Sequence, residues 1–297
     1  MKRIGVTGAG GFIGRNIVSM LTGCVVDAPG RRELDLCDRA AVRSWLERGR
    51  FDCVIHTATH NATVVAQPKP GAVYERNMQM FEALADCEGA YGKLIWFGSG
   101  AEFDRRHWRG DLDERELGTH VPADEYGLSK YRMTTLAAER ADMLNLRVFG
   151  CYGPYEDWRV RFISQACVRA MWGLPIRVRL HNSFDYLWID DLVEVVRWFV
   201  DHDGQHRVYN VCTGRQVELF DLARLVAQAV ERSTGQVVDI EVLGEGRGVP
   251  YGGTNTRLLG EVPGLRFTPP EVAIPRLLAF HEARRAEIGL ADVQELR

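Results

Sequence analysis

Thr7-Gly8-Ala9-Gly10-Gly11-Phe12-Ile13-Gly14 is the stretch whose reading decides the fold. Its glycines at 8, 11 and 14 follow the apolar run Ile4–Thr7 and open the amphipathic stretch Ile13–Leu21. A strand turning through close-set glycines into a helix aims backbone N–H groups and a partial positive charge at a pyrophosphate. Glycine spacing alone also occurs in ligand-free turns; the strand before and the helix after are what the motif requires. Gly8, Gly11, Phe12, Ile13 and Gly14 are therefore read as a dinucleotide-phosphate loop.

The pattern repeats outward. Cys24–Val26, Val54–His56, Leu94–Phe97 and Leu146–Phe149 read as further buried parallel strands, with helices over Ala40–Arg48, Ala72–Asp86 and Tyr126–Ala141. This alternation predicts an α/β protein built on a Rossmann-like doubly wound parallel sheet. After Tyr152-Gly153-Pro154 it loosens. Helices over Phe162–Trp172, Leu192–Val200, Leu219–Glu231 and Pro275–Ile288 are joined by segments such as Leu243-Gly244-Glu245-Gly246-Arg247-Gly248-Val249-Pro250. Residues 1–155 are thus expected to form an NAD(P)-binding domain to which later segments return. Residues 156–297 are expected to be mainly a smaller C-terminal α/β substrate lobe.

Bulk properties exclude several classes. With 46% hydrophobic and 26% charged residues the chain has a globular composition. A net charge of −3 supplies no field for nucleic acid or an anionic membrane. No apolar run reaches the ~20 residues of a membrane span. The N-terminus enters a strand directly, without a signal-peptide core, which predicts a cytoplasmic protein. Seven cysteines without a C-x-x-C pair read as reduced thiols, and no metal site is assigned.

Two signals compete at the adenosine ribose. Asp27, just past the second predicted strand, suits a free ribose, whereas Arg31 and Arg32 suit a 2′-phosphate. Solvated surface arginines would look the same. The adjacent pair has no evident structural task, so NADP(H) is placed slightly ahead of NAD(H).

The chemistry lies in Tyr126-Gly127-Leu128-Ser129-Lys130, which sets Tyr and Lys one turn apart on one helix face. A phenol, ordinarily near pKa ~10, can exchange a proton with a sugar hydroxyl or ketone if brought toward neutrality. A lysine ammonium one turn away favours the phenolate. The spacing alone is common by chance. Here a serine also follows the fourth strand, in Trp96-Phe97-Gly98-Ser99-Gly100-Ala101-Glu102-Phe103. Ligands of doubly wound sheets sit beyond the strand C-termini, so Ser99, with Gly100 beside it, is read as orienting the reacting oxygen.

Taken together, these motifs resemble the NAD-dependent epimerase/dehydratase family, the extended short-chain dehydrogenase/reductases, over most of the chain. That resemblance implies Ser99, Tyr126 and Lys130 as the catalytic set. It places Asp35 and Leu36, in Arg32-Glu33-Leu34-Asp35-Leu36-Cys37-Asp38, on the adenine side. His56-Thr57-Ala58-Thr59 stands for H-x-A-A, with Thr57 and Ala58 beside the cofactor, and Asn77 is the helix asparagine supporting the site. Leu146-Arg147-Val148-Phe149-Gly150-Cys151-Tyr152-Gly153-Pro154 is similar to L-R-x-F-N-x-Y-G-P, implying Phe149 at the cofactor and Gly150 at the substrate. Phe184-Asp185-Tyr186-Leu187-Trp188-Ile189-Asp190-Asp191 resembles R-D-F-x-x-V-x-D. For a nucleotide diphosphate, Arg159, Arg161, Arg247 and Arg257 fall in cleft-lining segments. Position in the family pattern favours Arg257 as the bidentate pyrophosphate ligand. Trp158, Trp188 and Tyr251 are candidates for stacking on a base, with core packing the default. Family members commonly form homodimers through the helices that here are Ala72–Asp86 and Tyr126–Ala141.

Departures narrow the substrate. Gly150 replaces the family asparagine and Phe184 the family arginine, removing two polar contacts. Gly-Ala-Glu after Ser99 lacks the Asp-Glu pair of the 4,6-dehydratases. The cysteine and histidine with which GDP-fucose synthase epimerises carbon centres have no counterparts at Ala101 or in Tyr155-Glu156-Asp157-Trp158. The expected activity is NAD(P)-dependent reduction of a nucleotide-diphosphate 4-keto sugar, with Tyr126 the proton donor. The alternatives are a nucleotide-sugar 4-epimerase with tightly bound NAD, and a non-catalytic dinucleotide sensor.

Overall fold

Short apolar strands separated by amphipathic helices bury both sheet faces only if the helices cover them from two sides. The computed structural model, which describes residues 1–60 and 69–295, is built this way. β1 (Arg3–Thr7), β2 (Val25–Asp27), β3 (Cys53–His56), β4 (Leu94–Ser99) and β5 (Met143–Val148) alternate with α1 (Phe12–Met20), α2 (Arg39–Gly49), α3 (Ala72–Ala85) and α4 (Glu125–Ala137). Beyond them come β6 (Gly150–Tyr152), α5 (Phe162–Met171), β7 (Ile176–Val178), β8 (Ser183–Phe184), β9 (Tyr186–Trp188), α6 (Ile189–Asp201) and β10 (Val208–Val211). The chain continues through β11 (Val217–Glu218), α7 (Leu219–Thr234), β12 (Ile240–Val242), α8 (Thr256–Glu261) and α9 (Pro270–Ala283). One six-stranded parallel sheet runs in the order β10-β5-β4-β3-β1-β2. The predicted doubly wound sheet is the observed one.

Three differences have physical causes. The predicted strand Leu146–Phe149 begins earlier, at Met143, because Asn145 is buried within it and bonded to Gly98, Thr134 and Glu102. The helix expected over Pro275–Ile288 runs instead from Pro270 to Ala283; a proline at the first helical position loses no hydrogen bond the helix would have made. The sixth strand, Val208–Val211, was not read at all, since four residues carry no periodicity of their own. It is placed by its neighbour: Val208–Val211 pair in register with Asn145–Val148.

One apolar core joins the α1 and α6 side of the sheet to α5, α7 and α9, and a second fills the space between the sheet and α2, α3 and α4. The C-terminal stretch has a structural task. α9 packs on α5 and α7, and the Asp191 carboxylate accepts bonds from Thr268 N (2.7 Å) and Oγ1 (2.8 Å). Trp158 and Trp188 are core residues, so packing, not base stacking, accounts for both.

Candidate active site

The glycine loop is built to leave a phosphate-sized opening. Gly8 has φ +73°, and a Cβ there would meet Ala58 N at 2.5 Å; at Gly14 it would meet Gly8 O at 2.4 Å. The hydroxyl of Thr57, held by Thr7 O at 2.8 Å, is wedged beneath both. A Cβ at Gly10, by contrast, would meet nothing within 4 Å. α1 has no side-chain cap and no acidic residue in its first turn, so its leading N–H groups face the loop uncapped. This is a cradle for an anion. Gly14→Ala is accordingly expected to abolish dinucleotide binding, read by fluorescence titration with NADPH; unchanged affinity would refute the assignment of the loop.

On the ribose side, Asp27 Oδ2 accepts from Trp45 Nε1 at 3.2 Å, and the carboxylate lines an open cleft with Val26, Pro29 and Glu33. Arg31 and Arg32 are exposed, and Arg31 puts its charge beside Cys37. Arg76 of α3, which the sequence reading passed over, does the same. Asp35 Oδ1 accepts from Cys37 N at 3.0 Å and Leu36 is buried, which shapes the turn leading to the cap of α2 at Asp38. Asn77 is buried, and its amide is spent on the protein: Nδ2 donates to His60 O and Ser129 Oγ, and Oδ1 accepts from His60 N. It braces α3 against α4.

α4 begins at an Asp124 cap whose carboxylate accepts from Gly127 N at 2.9 Å. A Cβ at Gly127 would meet Ala101 O at 2.4 Å; the bare glycine lets the first turn of α4 lie directly on the turn after Ser99. Tyr126 therefore faces Ser99 across that contact. Burial raises the Tyr126 phenol above its ordinary value, opposed by Ser99 and by the charges of Arg161 and Arg105. Lys130 is buried and donates to Phe97 O at 2.8 Å, with Nζ 5.9 Å from the Tyr126 ring centre. Burial pushes its ammonium down to about 8. Burial outweighs the groups that favour the Tyr126 phenolate, and the Lys130 ammonium gives one of its three N–H groups to the Phe97 carbonyl.

Behind Ser99 lies a charge cluster that the sequence reading used only as a contrast with the dehydratases. Ser99-x-x-Glu102 forms a capping box in which Glu102 Oε1 accepts from Ser99 N at 3.1 Å. Its other oxygen accepts from Thr134 Oγ1 (2.9 Å) of α4 and Arg147 Nε (2.8 Å) of β5. Glu102 and Arg147 are both fully buried.

The far wall is aromatic. A Cβ at Gly150 would meet Asp185 O at 2.5 Å and the Tyr186 ring at 2.9 Å, so Tyr186 fills the room of the family asparagine. Phe184 lies 6.0 Å from Tyr251 and 5.8 Å from Tyr186, ring to ring. Phe149 packs on Tyr251 at 5.3 Å, and a Cβ at Gly100 would lie 2.3 Å from the Tyr251 hydroxyl. Tyr251 is thus drawn into the centre and not left for base stacking; nothing local in Pro250-Tyr251-Gly252 signalled this. Arg161, at the start of α5, faces Tyr126, Tyr186 and the buried Glu156, whose carboxyl is pushed up to about 8 by burial. Arg257 is placed elsewhere: its Nε lies 3.9 Å from Glu114, and it lines a groove of about 410 Å³ with Tyr131, Thr135 and His206. It lies beside Glu114 and away from the aromatic wall around Tyr251.

A parallel doubly wound sheet carrying a glycine loop and a Ser/Tyr/Lys centre with a buried lysine defines a nicotinamide-dependent short-chain enzyme. Residues 4–212 match the model of the NAD dependent epimerase/dehydratase family, and the chain belongs to that family. Among curated relatives, an ADP-L-glycero-D-manno-heptose-6-epimerase from Cupriavidus pinatubonensis is 27% identical, over 76% of this chain and 77% of that protein. In fold, the chain is similar to a GDP-L-fucose synthetase from Naegleria fowleri, with TM-score 0.81 and 16% identity over 96% and 95% of the two chains. A GDP-mannoheptose C4 reductase from Campylobacter jejuni with NADP bound matches at TM-score 0.77 and 17% identity, over 95% and 98%. No helix among the described residues is long and apolar enough to cross a membrane.

Proposed function

We propose that this enzyme reduces a keto group, at C4, of a sugar linked to a nucleoside diphosphate. The observation that carries the reading is the meeting of side chains beyond β4: the half-buried Tyr126 phenol, its proton affinity raised by burial, beside the Ser99 hydroxyl and one helix turn from the buried Lys130. A general acid must hold its proton until the reacting oxygen arrives. A nicotinamide bound at the glycine loop would supply the hydride for the carbonyl carbon. Tyr126 Oη gives its proton to the carbonyl oxygen, which becomes the product hydroxyl. Ser99 orients that oxygen, and Lys130 returns positive charge toward the phenolate as it forms. The N–H groups of Phe12 to Gly14 would hold the dinucleotide's diphosphate, the Gly11 N–H being taken by Gly8 O. Arg161 and Arg105, both facing Tyr126, are the cations for the substrate's diphosphate. The chain beyond residue 155 supplies most of that substrate side.

A second reading has its own support. The curated relative is named an epimerase, and a 4-epimerase would use the same residues with a retained NAD. The purified protein separates the two. Heat-released stoichiometric NAD would sink the reductase reading. An empty protein that prefers NADPH to NADH would support it. Arg31 and Arg76, which flank Cys37 together, are the proposed partners of the 2′-phosphate. Replacing Arg31 by alanine is expected to weaken NADPH binding about tenfold, a charged-hydrogen-bond loss of about 1.4 kcal/mol, and to leave NADH unchanged. Equal losses for both nucleotides would count against the assignment.

A further inference from the structure

Ser99 carries one proton and two lone pairs, so its role depends on which way that proton points. One lone pair is taken: Ser99 Oγ accepts from Ala101 N at 3.2 Å. On the other side stands Tyr251, 7% exposed, with its hydroxyl pressed onto the Gly100 backbone. The ring has little freedom, being clamped between Trp108 at 4.1 Å and Phe149 at 5.3 Å. Its hydroxyl and that of Tyr126 both lie beside the Ser99 side chain. Ser99 therefore sits between two phenols.

We propose that Tyr251 is a positioning residue that fills the second lone pair of Ser99 and so forces the Ser99 proton outward, toward Tyr126 and the reacting oxygen. A phenol in an aromatic cage keeps its proton and must donate it. Burial raises Tyr251 far above neutrality, consistent with a permanent donor. The acceptor within reach is Ser99 Oγ. With both lone pairs filled, the serine hydroxyl can act only as a donor. A chain of donors polarises its last member, so Ser99 stabilises a Tyr126 phenolate better than an isolated serine would. The sequence Tyr251 to Ser99 to Tyr126 joins a loop near residue 250 to the end of β4 and the start of α4.

The inference rests on Tyr126 as the proton-transfer group of the proposed reaction and is independent of the sugar. Its test needs no substrate. The Tyr126 titration is read as the tyrosinate absorbance difference between the full-length protein and its Tyr126→Phe variant, both saturated with NADP⁺. The same difference is then taken in a Tyr251→Phe background, which keeps the ring and removes only the hydroxyl. Loss of the donor is expected to raise the Tyr126 midpoint by roughly half to one pH unit. In a Ser99→Ala background Tyr251→Phe is expected to change nothing, because the relay atom is gone. An unchanged midpoint with Ser99 present overturns the proposal. An equal shift with and without Ser99 overturns it too, since Tyr251 would then act by packing alone. If NADP⁺ does not bind, the dinucleotide reading has failed instead, and the titrations run on the free protein still decide the relay.

Discussion

Lys130→Met is expected to abolish turnover and, at the same time, to make the protein harder to melt at pH 7. The two effects share one cause. Lys130 is a buried ammonium whose proton affinity has been pushed down to about 8 by desolvation, with Glu102 acting in the opposite direction. An ordinary lysine titrates near ~10.4. Below about pH 8 both folded and unfolded states hold the proton, and the folded state bears the full cost of burying the charge. Between about 8 and ~10.4 the unfolded chain binds more protons than the folded one, so stability rises with pH across that window. A drop of about 2.5 units corresponds to about 3 kcal/mol, from which the lost bond to Phe97 O subtracts about 1 kcal/mol. A net gain of about 2 kcal/mol should raise the melting temperature by about 4 °C. The gain should shrink as the pH is raised above 8. Calorimetry at pH 7 and pH 10 checks both the sign and the trend. A methionine variant no more stable than the parent, or one whose advantage grows with pH, would contradict the account.

Glu102→Gln is expected to act oppositely, costing stability and activity together. Glu102 takes hydrogen bonds from the Ser99 backbone, Asn145, Thr134 and Arg147. Its side chain and that of Arg147 are 0% exposed. Glutamine keeps the shape but turns an –NH₂ toward groups that donate, and it leaves the Arg147 guanidinium buried without its counter-charge. Breaking a buried pair in this way costs about 3–5 kcal/mol, or a melting temperature lower by roughly 6–10 °C. Because the same carboxylate ties Ser99 to α4, turnover should fall by about tenfold or more through Ser99 and Tyr126 drifting apart. The double variant Glu102→Gln/Arg147→Met should recover part of the stability, since it removes the uncompensated charge. A single variant that melts with the parent would show that the pair contributes nothing.

These two residues mark the boundary between what could and could not be read in advance. The glycine loop, the first five strands and the four helices among them were legible because each is a local pattern, apolar period or glycine spacing, repeated within a few residues. Ser99, Tyr126 and Lys130 were legible for a similar reason. Two of them share one helix turn, and a serine after a sheet strand falls where ligands bind. Glu102 was half visible, as the fourth residue of Ser-x-x-Glu, but its partners Thr134, Asn145 and Arg147 lie on two other stretches of chain, α4 and β5. Arg257 shows the converse: four candidate arginines stood in cleft-lining segments, and position in a pattern did not tell which one turns toward Tyr126.

By itself, then, the sequence determined the parallel sheet, the glycine turn between its first strand and helix, and the placing of Ser99, Tyr126 and Lys130 as the proposed proton-transfer set, since these follow from spacing along the chain. Only the tertiary structure decided their surroundings: a tyrosine whose proton affinity is raised by burial, a lysine bonded to a strand carbonyl, an aspartate bonded to a tryptophan, and a second phenol brought beside Ser99 from residue 251. Burial and distant partners set proton affinity and donor direction, and neither quantity is written in the local order of residues.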